Sequence, residues 1–153
     1  MEERERVRPP FPWYLTIAML IYNRSTAEVS EVLGQYPGIL EANVYGVQIP
    51  HHEGRAGCAA VQITPEAQGT FDFARLAQFA RKKLPKYAVP VFVRLVGSAS
   101  HIHNHKQNKV PLREEGVDPA KTGDDRVLVL GEKGYRGFER GDWEGIAQGR
   151  VQL

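Results

Sequence analysis

A single cysteine, Cys58, stands among 153 residues, so no internal disulfide can form, and no Cys-x-x-Cys pair is present to hold zinc or run dithiol redox chemistry. Such cysteine usage fits a reducing compartment. Neither sign of charge predominates: 20 Lys and Arg face 18 Asp and Glu, for a formal net charge of +2. A basic field of the kind that attracts nucleic acid is therefore missing, and no nucleic-acid partner is expected. The apolar run from Trp13 to Tyr22 falls short of the roughly 17–25 residues of a membrane-spanning helix. As a signal peptide it is weak, because the charges before it cancel and no small-x-small cleavage site follows Tyr22. Missing too are a Gly-x-x-x-x-Gly-Lys-Ser/Thr phosphate loop, a Gly-x-Gly-x-x-Gly fingerprint and a Gly-x-Ser-x-Gly elbow; Gly131, Gly134 and Gly137 have the wrong spacing.

What is present fits one soluble domain with a modest core: 42% of residues are hydrophobic and 25% charged. Residues 1–12 mix acids and bases and then meet Pro9, Pro10 and Pro12, which favours an extended, solvated arm. The following run, Trp13 to Tyr22, reads as a strand or short helix packed on the domain, or as an interfacial anchor through Trp13 and Tyr14. Ser25 with Glu28 forms a capping-box pattern that predicts a helix over 23–35, with Val29, Val32, Leu33 and Tyr36 on one stripe. Strands are expected at 39–49 and 58–63, paired across a hairpin tip at 51–57. Thr70 is the expected cap of a second helix carrying Phe73, Leu76, Ala77, Ala80 and Leu84 on one face, closed by Pro85. Further strands are expected at 91–96, entered through Pro90, and at 126–130, with a loop over 113–125 and a short helix over 142–148. These elements predict an α+β fold, a small sheet with two or three helices packed on one face.

Several residues invite a chemical reading. Cys58 lies inside an apolar run and reads as packing rather than as a nucleophile. His101, His103 and His105 alternate, which on a strand would place three imidazoles on one face. Spacing of two separates such rings by about 6.5–7 Å, too far to close on one zinc at about 2.0–2.1 Å each, so no metal site is assigned. His51 and His52 read as exposed polar residues of the hairpin tip. Lys82, Lys83 and Lys86 form either a basic patch for phosphate or an anionic membrane, or a solvated helix end, the preferred reading. The sequon Asn23-Arg24-Ser25 is better explained by Ser25 as a cap than as a glycosylation site. Lys106 and Lys109 read, on composition alone, as part of a charged surface turn.

Three blocks in order change that last reading. Ser25-Thr26-Ala27-Glu28-Val29-Ser30-Glu31-Val32-Leu33, continued by Val44-Tyr45-Gly46-Val47-Gln48-Ile49-Pro50-His51-His52-Glu53-Gly54-Arg55-Ala56-Gly57, is followed by Leu84-Pro85-Lys86-Tyr87-Ala88-Val89-Pro90-Val91-Phe92-Val93-Arg94 and then by His105-Lys106-Gln107-Asn108-Lys109-Val110-Pro111-Leu112-Arg113-Glu114-Glu115-Gly116-Val117-Asp118-Pro119. Together they resemble the C-terminal domain of the adenylate-forming (AMP-binding) enzymes, in the fatty-acid transport protein and very-long-chain acyl-CoA synthetase branch, fungal members in particular. The resemblance implies a domain over 23–153, behind an unrelated arm at 1–22. It implies a ligase reaction in two steps: a fatty acid and ATP give acyl-adenylate, and the acyl group then passes to CoA.

In that family the small domain swings between two poses, and a lysine of this domain meets the reacting carboxylate and α-phosphate. Lys106 matches that lysine best and is the catalytic candidate, with Lys109 as the alternative; Arg55 and Lys109 are the cofactor-binding candidates. The chain departs from the family where His103-Asn104-His105 replaces the usual Thr-Gly-Thr-Phe. The implied cofactors of the intact enzyme are ATP, CoA and Mg, none held by this chain alone, and the implied partner is an adenylation domain in cis or in trans. Ahead of residue 23 the family would carry a hinge and that long adenylation domain, which supplies proximity and orientation, so the chain by itself is expected to be inactive. The alternative is a non-enzymatic module binding CoA, a membrane surface or a synthetase partner through Arg55, Lys82–Lys86 and the Trp13–Tyr22 run. The expected location is cytosolic or peripheral on peroxisomal or endoplasmic-reticulum membrane, although Val151-Gln152-Leu153 is not the usual peroxisomal signal.

Overall fold

The computed structural model describes residues 24–52, 55–97 and 110–150; the Trp13–Tyr22 run, the three alternating histidines, Lys106 and Lys109 lie outside them. Five strands form one sheet in chain order: β1 (Ile39–Gln48), β2 (Arg55–Ile63), β3 (Phe92–Leu95), β4 (Arg126–Gly131) and β5 (Gly134–Gly137). Among the described residues four α-helices accompany it: α1 (Arg24–Gly34), α2 (Phe73–Lys83), α3 (Val110–Glu115) and α4 (Arg140–Ala147). All neighbouring strands are antiparallel except β2 and β3, which run parallel. A parallel pair needs a long crossover, and α2 supplies it.

Period-two patterning puts alternate residues of each strand into separate cores. Val44, Ala59, Val61, Val93 and Leu128 pack beneath Val29 and Leu33 of α1 and Leu76, Ala77 and Ala80 of α2. Tyr45, Val47, Cys58, Ala60, Phe92 and Val129 face the other way and are covered by Leu112 of α3, Val117, Phe138 and Ile146 of α4. The helices thus lie on both faces, not on one. The periodicity of α1 and α2 showed which side of each helix is apolar; which sheet face receives it depends on how the strands are connected.

Local chemistry corrects several boundaries. α2 is capped by Asp72, whose Oδ1 accepts from the backbone N–H groups of Ala74 and Arg75 at 3.0 and 3.1 Å. Thr70 instead donates through Oγ1 to the Ala67 carbonyl at 3.4 Å. A carboxylate adds its attraction for the helix N-terminus to the hydrogen bonds. Ser25 is itself helical, within α1, and so is not the expected cap. Pro90 precedes β3 without entering it, which lets that strand sit mid-sheet; the Pro90 carbonyl accepts from the Tyr135 hydroxyl at 2.7 Å. Two elements were not expected. β5, Gly-Tyr-Arg-Gly, carries two glycines and little strand propensity, and is held by pairing with β4, Leu130 opposite Tyr135. α3 occupies the start of the expected loop and is too short to show a helical period. Among the described residues, no helix is long and apolar enough to cross a membrane.

Candidate functional site

β1 and β2 are paired from Ile39 opposite Ile63 to Gln48 opposite Arg55, which places Arg55 beside the hairpin tip. An open cleft of about 370 Å³ lies next to this end of the sheet, lined by Arg55, by Arg113 of α3 and by Lys121 and Trp143. None of these three cations has an ion-pair partner among the described residues. Glu114 and Asp118 share the lining, so the cleft alternates in sign rather than presenting a uniform positive field. Trp143 is half-buried and packs on the core below α4. Such a surface offers cations to phosphate oxygens and an aromatic face to a flat group.

Behind the cleft lies a buried charge. Arg94 on β3 is 2% exposed. Its Nε donates to Oδ2 of Asp125 at 2.9 Å, and its Nη2 lies 2.8 Å from the same oxygen and 2.6 Å from Oε1 of Glu115 on α3. The Glu115 contact is an ion pair off the hydrogen-bonding axis, since Oε1 has no aligned donor. Burial alone would lower the guanidinium's pKa; the carboxylates of Glu115 and Asp125 reverse this and hold it above its ordinary value. Nη1 of Arg94 remains unpaired. Asn43 stands in the same cross-strand row, opposite Ala60, which itself stands opposite Arg94, and both of its amide atoms are buried without a partner.

At the hairpin tip, His51 adopts φ 65°, a left-handed conformation uncommon outside glycine. Its Nε2 is 2.7 Å from the Ala147 carbonyl, so this nitrogen carries the proton and donates, tying the tip to the last turn of α4. His52 donates through Nδ1 to the Pro50 carbonyl at 2.8 Å. His51 is exposed as expected, whereas His52 is half-buried, and both have structural partners.

Cys58 is fully buried, 3.5 Å from the Tyr45 hydroxyl, and burial pushes its thiol up to about 12. It is packing, as its apolar surroundings implied. Lys82, Lys83 and Lys86 are exposed, while Arg81 donates to the carbonyls of Gly131 and Glu132 at 2.6 and 3.2 Å, so the basic helix end is partly spent on joining α2 to the β4–β5 turn. Among the described residues no group of three or more His, Cys, Asp or Glu gathers that could hold a metal ion. The structure therefore places Arg55 in the cleft, while Lys106 and Lys109 fall outside the described residues. Sequence reasoning missed Arg94, Arg113, Lys121 and Trp143 as a neighbourhood. Only Arg94 left a signal, as a lone cation inside the apolar run 91–96.

A model described as the AMP-binding enzyme C-terminal domain matches residues 28–106. Isopenicillin N epimerase component 1 of Hapsidospora chrysogena is 50% identical over 135 residues, covering 80% of this chain and 22% of that protein. The very long-chain fatty acid transport protein of Cochliobolus heterostrophus is 38% identical over 134 residues, 86% of this chain and 21% of the relative. The medium/long-chain-fatty-acid–CoA ligase FadD6 of Mycobacterium tuberculosis is 41% identical over 113 residues, 74% of this chain and 19% of the ligase. The crystal structure of apo MatB from Rhodopseudomonas palustris superposes with a TM-score of 0.50 at 27% identity, over 58% of this chain and 17% of that one. The chain thus spans about a fifth of the length of these relatives.

Proposed function

Because the chain belongs to the AMP-binding enzyme C-terminal domain family, we propose that it is the mobile terminal domain of a fatty acyl-CoA synthetase, activating a fatty acid with ATP and passing the acyl group to CoA when joined to, or docked on, an adenylation domain. The observation that carries this reading is the family match over residues 28–106, together with the names of the transport protein and the CoA ligase among its relatives. Domain boundaries of 1–22 for the arm and 23–153 for the domain belong to the same proposal.

Lys106 is assigned to the reacting carboxylate and α-phosphate. Charge accumulates on those oxygens in the transition state, and an ammonium held at a fixed distance stabilises it there more than in the ground state. Arg55 and Lys109 are assigned to the phosphates of the nucleotide or CoA. The guanidinium of Arg55, exposed at the cleft beside Arg113 and Lys121 and without an ion-pair partner among the described residues, suits a phosphate. ATP and Mg are assigned to the adenylation domain, as the family implies for the intact enzyme. The chain alone is proposed to be inactive, because one lysine without a nucleotide pocket supplies charge but no proximity. Membrane association would be peripheral, through the exposed Lys82, Lys83 and Lys86.

The test is to join the chain in frame behind the adenylation region of the Cochliobolus heterostrophus relative and assay acyl-adenylate and acyl-CoA formation separately. Lys106→Ala is expected to lower adenylation by two or more orders of magnitude, the scale on which a well-placed electrostatic group acts, and to leave thiolation of a supplied acyl-adenylate largely intact. Equal loss in both steps would refute the role given to Lys106. The name of the 50% identical relative, isopenicillin N epimerase component 1, favours a second reading, in which the carboxylate activated is an amino-acid-derived acid. Running isopenicillin N beside a fatty acid in the same assay separates the two.

A further inference from the structure

The open cleft at the hairpin end of the sheet draws its lining from four separate parts of the fold: Arg55 from β2, Arg113 from α3, Lys121 from the turn that follows, and Trp143 from α4. We infer that Arg113, Lys121 and Trp143 complete, with Arg55, a binding site for a phosphorylated nucleoside, the three cations holding phosphate and the indole stacking on the base. The inference deepens the phosphate-binding assignment of Arg55 made above and rests on it.

Three observations carry it. First, most arginines elsewhere are engaged: Arg75 with Asp72, Arg94 with Glu115 and Asp125, Arg136 with Asp142, Arg81 with two carbonyls and Arg126 over the Phe73 ring. Arg55, Arg113 and Lys121 are exposed and have no ion-pair partner among the described residues, although Glu114 and Asp118 share their cleft. Gathering three like charges around one concavity costs repulsion, which phosphate oxygens relieve, and two guanidinium forks suit phosphate in particular. Second, the backbone under these groups is fixed before any ligand arrives. The Asp118 carbonyl accepts from the N–H groups of Lys121 and Thr122 at 2.8 and 3.1 Å, and Oδ1 of Asp118 accepts from the Ala120 N–H at 2.9 Å. Asp118 is thereby partly committed to its own turn and Glu115 to Arg94, which leaves the cations in excess. Trp143 packs on the core with part of its surface on the cleft, so little ordering is left for binding. Third, size and charge select the ligand. About 370 Å³ lies near the lower end of the roughly 300–1,000 Å³ of small-molecule sites, and Glu114 and Asp118 would repel a flat anionic surface. A nucleotide alternates in the same way as the lining: its phosphates meet cations, its ring meets an aromatic face, and an amino group on the base can donate to a carboxylate.

The experiment titrates the 153-residue chain carrying Trp13→Phe, in which Trp143 is the one remaining indole, and follows its fluorescence. The probes are ATP, adenosine 3′,5′-bisphosphate (the phosphorylated nucleoside that CoA carries) and inorganic pyrophosphate. At least one nucleotide is expected to quench Trp143 saturably with a Kd below about 1 mM, and pyrophosphate to bind about tenfold more weakly or less, having no ring to stack. The tighter of the two nucleotides identifies the source of the phosphate. Arg113→Gln and Lys121→Gln, exposed substitutions that leave the fold intact as a melting curve will verify, should each weaken binding about 3- to 10-fold. No saturation up to about 5 mM would overturn the inference, as would binding that neither variant weakens. Pyrophosphate binding as tightly as both nucleotides would leave an anion site and remove the nucleoside; capture by phosphatidylserine vesicles without nucleotide binding would replace it with a lipid surface. The titration needs no turnover, so it stands apart from the synthetase reading. Nucleotide binding by the chain, with a fused enzyme that forms no acyl-CoA, would sink that reading and spare the cleft; an active fusion whose chain binds no nucleotide would sink the cleft alone.

Discussion

Gly134 opens β5 at φ +123°, a backbone region that L side chains rarely adopt, and sits directly against α2. A Cβ built there would lie 2.8 Å from the Ala74 Cα, 3.3 Å from its Cβ and 3.4 Å from its carbonyl oxygen. The first of these atoms is helix backbone, which cannot rotate away as the tip of a flexible side chain can. Gly134→Ala therefore combines a backbone cost of about 1–3 kcal/mol with an overpacking cost of about 1–3 kcal/mol as α2 and β5 are pushed apart. Gly123 isolates the first component: its φ is +63° and nothing lies within 4 Å of its added Cβ, so Gly123→Ala should cost only about 1–2 kcal/mol. At about 2–4 °C per kcal/mol for a chain of this size, a Gly134→Ala loss of about 4 kcal/mol lowers Tm by about 8–16 °C, and Gly123→Ala lowers it by about 2–8 °C. Thermal unfolding followed by circular dichroism, with urea midpoints as a second measure, decides the matter. Equal melting temperatures for the two variants would show that the β5–α2 contact is not as close as described, and the account of what fixes β5 would fail with it.

Other consequences are as direct. Asp72→Ala should destabilise the chain by about 1 kcal/mol through loss of the α2 cap, while Asp72→Asn should cost only a few tenths; equal losses in denaturant titrations would contradict the capping role. Cys58 has a folded pKa near 12 against an ordinary 9.0, so the folded state holds its proton more tightly than the unfolded state. Its stabilising effect is thus complete below about pH 9 and is lost as pH rises towards 12, with a slope of up to about 1.4 kcal/mol per pH unit. Burial also raises the hydroxyls of Tyr45 and Tyr135, which adds to the alkaline loss above pH 10. Urea midpoints from pH 8 to 10.5 should fall, and fall less steeply in Cys58→Ala; parallel curves would rule the thiol out. Arg55→Ala in the fused enzyme should raise KM for ATP or for CoA about tenfold, the scale of one charge-assisted contact. Unaltered KM values for both would remove Arg55 from phosphate binding.

The elements legible in the sequence were those with a periodic apolar pattern long enough to identify. The stripes of α1 and α2, and the apolar runs of β1 and β2, carry their own geometry, but β2 begins at Arg55, three residues before the strand expected from Cys58, because Arg55, Ala56 and Gly57 pair with Gln48, Val47 and Gly46. Short elements were harder. α3 and β5 have too few residues to display a period, and β5 forms a strand only because β4 lies beside it. Asp72 rather than the expected Thr70 caps α2 because both residue types make good caps, and where the first helical turn falls decides between positions two residues apart. On the chemical side, Arg55 and Lys106 could be singled out only through the resemblance of three sequence blocks. Arg94 hid in plain view, since a cation in an apolar run can point to solvent or inward.

Local patterning and counting alone settled that this is an α+β domain with its one thiol in an apolar run and no internal disulfide, and the resemblance of three sequence blocks added the AMP-binding enzyme C-terminal family. Tertiary structure alone decided that helices cover both sheet faces, that Arg55, Arg113, Lys121 and Trp143 share one cleft, and that Arg94 meets Glu115 and Asp125. Those groups are brought together by a parallel crossover and by pairing between segments far apart in the chain, and no local spacing encodes which distant residues will meet.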